Sequence, residues 1–297
     1  MPVPGQTVKG TAFKMGCGGK GFNQAVAAHK YGVDTTIITK IGSDVFGESM
    51  LEFCRNANMD TSHILTDANT PTGTAVIVVD EITGQNQILV YAGACDHITD
   101  EDFEKAKPVI ASAKVFLTQL ETNLDVVYKA VDFASSKGIT VILNPAPFQK
   151  IDDGLLKKID IITPNETEAS QLTGVEVKTK EDAEKAAEIL MSKGVKNVIV
   201  TLGSQGSYIK TAKESRFLKA YKVNAIDTTG AGDAFNGAFA ARFAESGDIF
   251  EAAEYANAAA AVSVTRIGAA PAIATKAEVD AFIESGVIGG VTGDGSQ

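Results

Sequence analysis

Short apolar runs alternate with amphipathic stretches along most of the chain. The runs are rich in Val, Ile and Thr, which is typical of buried strands, and the stretches between them carry apolar residues at helical spacing. Predicted strands cover residues 35–41, 114–118, 139–143, 159–163 and 197–202, and predicted helices cover residues 23–29, 45–57, 123–136, 166–172, 180–193 and 234–245. This order predicts an α/β fold with a Rossmann-like, mainly parallel sheet and helices on both of its faces.

Two β-rich stretches depart from the alternation. Residues 74–80 and 87–91 flank a turn that contains Gly84, and they predict an antiparallel hairpin. Residues 7–14 alternate weakly between apolar and polar positions and are predicted as a further strand of the same small sheet. We interpret this small sheet as a lid over one end of the main sheet.

Composition limits the partners and the location of the protein. The chain of 297 residues has 27 Lys and Arg against 37 Asp and Glu, and the net charge of −10 argues against a nucleic-acid partner. No apolar run approaches the roughly 18 residues that a membrane helix needs, so we expect no membrane association. Three cysteines without a C-x-x-C pattern fit a reducing cytoplasm better than a disulfide framework. No shift in composition marks a boundary, so we expect one domain over residues 1–297 that ends in a flexible tail at 289–297.

The first of two glycine-rich segments lies at residues 16–21. It formally satisfies G-x-G-x-x-G, but no buried strand precedes it and no carboxylate stands at the expected ribose-binding position. A Walker A loop is excluded because Lys20 is followed by Gly21. What remains is a glycine-rich approach to a helix, which fits either a plain structural turn or a close backbone approach to a small polar ligand.

The second glycine-rich segment, residues 227–233, precedes an apolar-periodic helix. Its small residues leave the first N–H groups of the helix open to an anion, and the helix dipole adds a favourable potential there. Asp233 is therefore either a cap of this helix or a base beside an anion site.

Together these segments resemble the ribokinase-like sugar kinases. The family's first signature appears as PVPGQTVKG followed by GGKGFNQAVAAHKYG, and its second appears as DTTGAGDAFNGAF. Between them, NETE at residues 165–168 resembles the family's N-x-x-E motif, and TLG at residues 201–203 resembles its T-x-G motif. The resemblance covers residues 2 to about 282. It implies ATP-dependent phosphorylation of the 5-hydroxyl of ribose, with Mg²⁺ accompanying ATP.

The resemblance implies catalytic roles for the second glycine-rich segment. Asp233 is expected to take the proton from the sugar hydroxyl. The N–H groups of Gly230, Ala231 and Gly232 are expected to stabilise the transferred phosphoryl group.

The resemblance also implies a metal and nucleotide side. Asn165 and Glu168 are expected to position Mg²⁺ through water, and Asn165 equally fits a helix N-cap. Thr201 and Gly203 are expected to contact the nucleotide. Asn257 is expected near the adenine, and it equally fits a solvated helix residue.

On the sugar side, the resemblance implies five contacts. Lys20 and Asn23 supply donors and acceptors for vicinal hydroxyls, and the backbone at Gly18 and Gly19 allows a close approach. Glu121 matches an acid that accepts a sugar hydroxyl, and it equally fits a surface acid before a helix.

Some members of this family bind a monovalent cation near the anion site, so K⁺ is an expected activator. The positions that match this site are Asp227, Thr229, Ser263, Arg266 and Gly268. Where these kinases often carry a hydroxyl side chain shortly after a proline, this chain has Ala272, so one ligand is expected to be lost or replaced by water.

A larger departure concerns the opening of the sequence. Members of the family usually open with a core strand that ends in G-S-x-N-x-D, whose Asp binds sugar hydroxyls, whereas this sequence opens at P-V-P-G. We therefore expect weakened sugar binding and an incomplete sheet. The alternatives that stay open are a kinase for 2-deoxyribose, another small sugar or a nucleoside, and a catalytically weak sugar- or nucleotide-binding relative.

A homodimer is expected through the lid. Val76, Val78 and Ile88 give the predicted hairpin an apolar face, and its edges are exposed. Burial against the same face of a second subunit satisfies both features.

Overall fold

The computed structural model describes residues 5–80 and 86–285. Its α-helices are α1 (Lys20–Lys30), α2 (Val45–Asn56), α3 (Asp100–Ser112), α4 (Leu124–Ser136), α5 (Asp153–Leu156), α6 (Glu166–Thr173), α7 (Lys180–Ser192), α8 (Ala231–Ser246), α9 (Ile249–Ser263) and α10 (Lys276–Glu284). Its strands are β1 (Thr39–Gly42), β2 (Ile64–Asp67), β3 (Thr74–Val79), β4 (Asn86–Tyr91), β5 (Val115–Thr118), β6 (Thr140–Leu143), β7 (Ile161–Ile162), β8 (Asn197–Thr201), β9 (Gly206–Lys210) and β10 (Ser215–Lys219). The predicted hairpin turn around Gly84 and the predicted tail at 289–297 lie outside the described residues.

The main sheet has six strands in the order β10-β9-β8-β7-β6-β5. Strands β5 to β8 are parallel, while β9 and β10 add an antiparallel edge. The prediction of a mainly parallel sheet with flanking helices is confirmed. The antiparallel edge was not predicted, because the short polar-interrupted strands β9 and β10 follow a tight turn at Gly203–Gln205 and lack a long apolar run.

A second, two-stranded parallel sheet, β1–β2, continues the same layer. Ile37 and Ile41 belong to one core cluster with Ile142 of β6, whereas Ile38 belongs to the cluster on the opposite face. The strand predicted at 35–41 begins later in the structure, at Thr39 of β1, and only an isolated bridge forms before it at Thr36. In the described part of the chain, β1 pairs only with β2 and β5 only with β6, so the layer is interrupted.

The strands predicted for the small sheet are only partly confirmed. Strands β3 and β4 form a separate antiparallel pair, from Thr74 opposite Tyr91 to Val79 opposite Asn86. The predicted strand at 7–14 is wrong: these residues are exposed and form no strand. Their weak alternation, with glycine and lysine between the apolar positions, supplies too little apolar surface to pack against the hairpin.

None of the helices in the described ranges combines the length and apolar character that a membrane-crossing segment requires.

Candidate active site

The open N-terminus of α8 lies at the centre of the candidate site. Gly230 precedes the helix with a φ of 75°, and no side chain caps the first turn. A Cβ on Gly230 would lie 3.0 Å from Ala269, so both the backbone conformation and the close approach require glycine. Gly232 is exposed and Asp233 is buried. The first N–H groups of α8 therefore carry no capping side chain, as the anion-site hypothesis requires.

Asp233 is a buried carboxylate with two amide donors. Asn23 Nδ2 donates to its Oδ2 at 2.8 Å, and Gln24 Nε2 donates to its Oδ1 at 3.0 Å. Burial raises the pKa of Asp233, and these two hydrogen bonds and the charge of Lys20 oppose that rise. Asp233 does not cap α8, so its alternative interpretation as a bland cap is not supported by the geometry.

The first glycine-rich segment leads into α1, and the first turn of this helix lies beside the carboxylates of Glu121 and Asp233. The backbone N–H of Lys20 donates to Glu121 Oε2 at 2.6 Å, and Gly19 precedes the helix with a φ of 102°. Burial raises the pKa of Glu121, and the charge of Asp233 adds to that rise. Asn23 Oδ1 is buried without a hydrogen-bond partner among the described residues. The structure thus brings Lys20, Asn23, Glu121 and Asp233 together, with the exposed Gly18 beside them.

The N-x-x-E motif forms a capping box at the start of α6. Asn165 Oδ1 accepts from the N–H of Glu168 at 2.8 Å, and the Glu168 carboxylate accepts from the backbone N–H and the Nδ2 of Asn165, both at 3.0 Å. Glu168 is buried, which raises its pKa, and Asp233 adds to the rise. Asn165 is therefore a helix cap, and this role leaves the carboxylate within the electrostatic reach of Asp233.

The T-x-G motif lies directly beside the N-x-x-E motif. Thr201 forms an isolated bridge with Asn165, and its N–H donates to the carbonyl of Pro164 at 3.0 Å. Gly203 is exposed and has a φ of 49°. Asn257 lies on α9, where its Nδ2 donates at 3.2 Å to the hydroxyl of Ser207, the strand partner of Thr201, so it is not a purely solvated residue.

The carboxylate of Asp227 connects the two loops of the predicted cation site. Its Oδ1 accepts from the N–H of Thr229 and its Oδ2 from the N–H of Gly268, both at 2.9 Å. The carbonyl of Ser263 accepts from the N–H of Arg266 at 3.1 Å, while the Arg266 guanidinium pairs with Glu278. Ala272 is buried and offers no side-chain ligand.

Several polar residues around Asp233 were not predicted. They are buried or half-buried and joined by hydrogen bonds: Gln24, Gln119, Asn144, Thr163 and Asn236. Gln119, Asn144 and Thr163 directly follow β5, β6 and β7. For Gln119 and Asn144, the signal that would have indicated them is a polar residue immediately after a predicted parallel strand, because ligand sites form at the carboxyl ends of such strands.

The family is shown by comparison with known proteins. The model for the pfkB family of carbohydrate kinases matches residues 2–276. A ribokinase from Haemophilus influenzae is 43% identical over 281 residues, which cover 95% of this chain and 92% of that protein. A deoxyribokinase from Salmonella typhi is 39% identical over 269 residues, which cover 90% of this chain and 88% of that protein. The chain therefore belongs to the pfkB family of carbohydrate kinases, which confirms the resemblance drawn from its motifs.

Solved structures agree with this assignment. The structure of Arabidopsis thaliana ribokinase complexed with ribose and ATP matches with a TM-score of 0.88 and 30% identity, covering 96% of this chain and 93% of that chain. A putative ribokinase II from E. coli in complex with ATP and Mg²⁺ matches with a TM-score of 0.80 and 25% identity, covering 95% of this chain and 94% of that chain. The chain is a sugar kinase with the α/β fold of these relatives.

Proposed function

We propose that the protein phosphorylates the 5-hydroxyl of ribose with ATP and produces ribose 5-phosphate and ADP. The observation that carries the proposal is the buried carboxylate of Asp233 in the first turn of an uncapped helix, beside Lys20, Asn23 and Glu121. A carboxylate in this position is a base next to an anion site. Ribokinases with 43% identity and a structural relative complexed with ribose and ATP support ribose as the substrate.

In the proposed reaction, groups of this chain accept the proton of the sugar hydroxyl and stabilise the charge on the phosphoryl group. Asp233 accepts the proton of the 5-hydroxyl while the hydroxyl oxygen attacks the γ-phosphorus and ADP leaves. The N–H groups of Gly230, Ala231 and Gly232 stabilise the charge on the transferred group. Lys20, Asn23 and Glu121 orient the sugar, with the backbone of Gly18 and Gly19 at close range. Positioning of this kind supplies much of the rate of phosphoryl transfer.

The metal and nucleotide side fits Mg²⁺ with ATP. Glu168 is a buried carboxylate within the electrostatic reach of Asp233, and among the described residues its oxygens accept from Asn165. A cation beside it would favour its ionised form. We place Mg²⁺ near Asn165 and Glu168 through water, as Mg²⁺ usually keeps several waters. Bound Mg²⁺ neutralises charge on the phosphates. Thr201, Gly203 and Asn257 are proposed to contact the nucleotide.

K⁺ is proposed as an activator at the loops that Asp227 joins. The carboxylate holds Thr229 and Gly268 by their N–H groups, and the carbonyls around Ser263 and Arg266 supply oxygen ligands. A cation bound there would fix the backbone that leads into Gly230 and the anion site.

A kinase for 2-deoxyribose is the second candidate, because a deoxyribokinase is 39% identical to this chain. Formation of ADP by the purified protein with ribose, 2-deoxyribose, hexoses and nucleosides decides between the candidates. We expect the highest kcat/KM with ribose. A higher value with 2-deoxyribose assigns the second function, and no ADP with any acceptor assigns a binding protein without kinase activity.

We further propose a homodimer formed through the β3–β4 hairpin. Exposed apolar side chains stand along both strands, with exposed fractions of 58% for Val76, 72% for Leu89 and 60% for Val90. Such a surface favours a partner of the same kind. Sedimentation at micromolar concentration should give a dimer that Val76→Lys with Leu89→Lys converts to a monomer, whereas Ile267→Lys, exposed elsewhere, should not. A monomeric wild-type protein would contradict the proposal.

The cytoplasm is the proposed location. Cys17, Cys54 and Cys95 are all free thiols, as expected in a reducing compartment.

A further inference from the structure

We propose that Gln24 is a positioning residue for the base: its side-chain amide fixes the plane of the Asp233 carboxylate. The inference rests on the proposed role of Asp233 in sugar phosphorylation. Gln24 is 1% exposed, and its side chain contacts no position assigned to the substrate. It acts on the reaction only through Asp233.

All the hydrogen-bonding groups of the Gln24 side chain are occupied. Its Nε2 donates to Asp233 Oδ1 and to Asn144 Oδ1, both at 3.0 Å. Its Oε1 accepts from Gln119 Nε2 at 2.6 Å. A glutamine side chain has two N–H donors and one carbonyl oxygen, so this residue is fully satisfied and held from three directions.

The orientation of these side-chain amides follows from the hydrogen bond between Asn144 and Thr163, at the end of the network away from Asp233. Asn144 Nδ2 donates to the backbone carbonyl of Thr163 at 3.0 Å, and a carbonyl can only accept. Asn144 must therefore present Oδ1 to Gln24, and Gln24 must present Nε2 to Asn144. The Asp233 carboxylate is also an acceptor, so both ends impose the same orientation on Gln24. A reversed amide would oppose two pairs of like groups.

The network is attached to rigid elements. Gln119, Asn144 and Thr163 directly follow β5, β6 and β7, whose carboxyl ends meet at one edge of the sheet. On the other side, α1 and α8 cross closely, since a Cβ on Gly237 would lie 2.4 Å from the Gln24 carbonyl oxygen. Gly237 is one helical turn after Asp233, so the crossing sets the distance between the Gln24 amide and the carboxylate.

The charge around Asp233 makes this donor important for catalysis. Burial raises the pKa of Asp233, and the Gln24 hydrogen bond is the largest opposing effect, followed by Asn23 and Lys20. The carboxyls of Glu121 and Glu168 also interact with Asp233, and their negative charge disfavours its ionised form. Loss of the Gln24 donor therefore raises the pKa of the base, so that the base is protonated up to a higher pH.

The test replaces the amide and preserves the shape. Gln24→Met keeps side-chain length and helix propensity but removes every hydrogen bond. We expect kcat at pH 7 to fall at least about tenfold, because a carboxylate that is misaligned and more often protonated loses part of its contribution to proton transfer. The KM values for sugar and ATP should change less than about threefold. The acidic limb of the kcat profile should move to higher pH.

A matched control separates the effect of positioning Asp233 from the general effect of losing a glutamine side-chain amide. Gln149 Nε2 donates to the carbonyl of Leu120 at 2.7 Å, and no hydrogen bond joins it to Asp233 among the described residues. Gln149→Met should leave both kcat and the acidic limb unchanged. Asn144→Leu, which removes the group that orients Gln24, should lower kcat in the same direction. The double variant of Gln24→Met and Asn144→Leu should lose little more than Gln24→Met alone.

The outcomes separate this inference from the proposed function. If the wild-type protein forms ADP with a sugar and folded Gln24→Met retains its kcat and acidic limb, Gln24 does not position the base. If Gln24→Met does not fold, a normal kcat and pH profile in Asn144→Leu overturns the inference instead. If the wild-type protein phosphorylates no acceptor, the proposed function fails and takes this inference with it.

Discussion

The carboxylate of Asp44 ties the root of the β3–β4 hairpin to helix α2 through two hydrogen bonds from Thr72. The Thr72 N–H donates to Oδ2 at 2.8 Å and its hydroxyl donates to Oδ1 at 2.6 Å. The hydroxyl bond is the main reason that the pKa of Asp44 falls to about 2. The same carboxylate caps α2 by accepting from the N–H groups of Phe46 and Gly47. The chain comes back to the neighbourhood of Thr72 after β4. Gly93 packs so closely there that a Cβ on it would lie 2.5 Å from the carbonyl oxygen of Pro71.

Removing the Thr72 hydroxyl should loosen the hairpin at its root. The hydroxyl also accepts from the N–H of Gly42 at 2.9 Å, so Thr72→Val takes this acceptor from the buried Gly42 N–H and removes one donor from the Asp44 carboxylate, at a cost of about 1–3 kcal/mol. If the hairpin is a lid, the KM for sugar should rise several-fold while the KM for ATP changes little, and Thr72→Ser should restore it. Steady-state kinetics and thermal unfolding measure both effects.

Asp248→Ala is the matched control for the Thr72 variants. Asp248 caps α9 through the N–H groups of Phe250 and Glu251, as Asp44 caps α2, but it has no link to the hairpin. Its loss should cost about 0.5–2 kcal/mol of stability and leave both KM values unchanged. Equal changes in sugar KM for Asp248→Ala and Thr72→Val would remove the specific role of the hairpin root.

Asp233→Ala should abolish most turnover. Loss of a catalytic base lowers kcat by ~10² or more, while the affinity for ATP should stay within a few-fold. Asp182 is the control, since it occupies the same third position of its helix, α7, and serves a capping box and an ion pair with Lys185. Asp182→Ala should lower the melting temperature and leave kcat unchanged. A folded Asp233→Ala protein with near-normal kcat would show that the base is elsewhere.

Activity should rise with K⁺ and much less with Na⁺. Asp227 holds the backbone of both loops at the proposed cation site, where carboxylate and carbonyl oxygens are the expected ligands of a large monovalent cation. Initial rates in KCl, NaCl and a bulky organic chloride at one ionic strength measure the effect. Asp227→Ala should abolish the difference between the salts. Equal rates of the wild-type protein in all three salts would exclude the site. The first explanation to consider would then be the buried Ala272, which supplies no side-chain ligand.

An added strand should join the interrupted layer. In the described part of the chain, β1 and β5 each pair on one edge only, although Ile41 of β1 packs in the same core cluster as Val115 and Leu117 of β5. An N-terminal extension with an apolar strand ending in G-S-x-N-x-D should pair there, raise the melting temperature and lower the KM for ribose more than that for ATP. An extension of equal length with two prolines in the strand is the control, because proline cannot donate to the ladder. Identical results for the two extensions would rule out strand pairing.

The sequence predicted the features that depend on local order along the chain. The alternation of strands and helices gave the parallel sheet, and the small residues around Gly230 indicated the open helix end, because both signals lie within one segment. Gln24 could not be found in this way, since its role depends on the crossing of α1 and α8 and on three strand ends far apart in sequence. The prediction of a strand at 7–14 was wrong because it relied on a weak local alternation alone. Such an alternation does not produce a strand unless a neighbouring surface packs against it.

The chain of amides behind Asp233 also bears on how the proton leaves. The hydrogen-bond partners of its carboxylate in the described residues are the side-chain amides of Asn23 and Gln24, and the chain continues through Asn144 to a backbone carbonyl. Amides neither gain nor lose protons near neutral pH, so this chain conducts none toward the interior. In an enzyme that uses Asp233 as its base, the captured proton therefore leaves from the side of the carboxylate that faces the sugar. Deprotonation of the base and departure of the product then share one exit, and a slow exit would delay both.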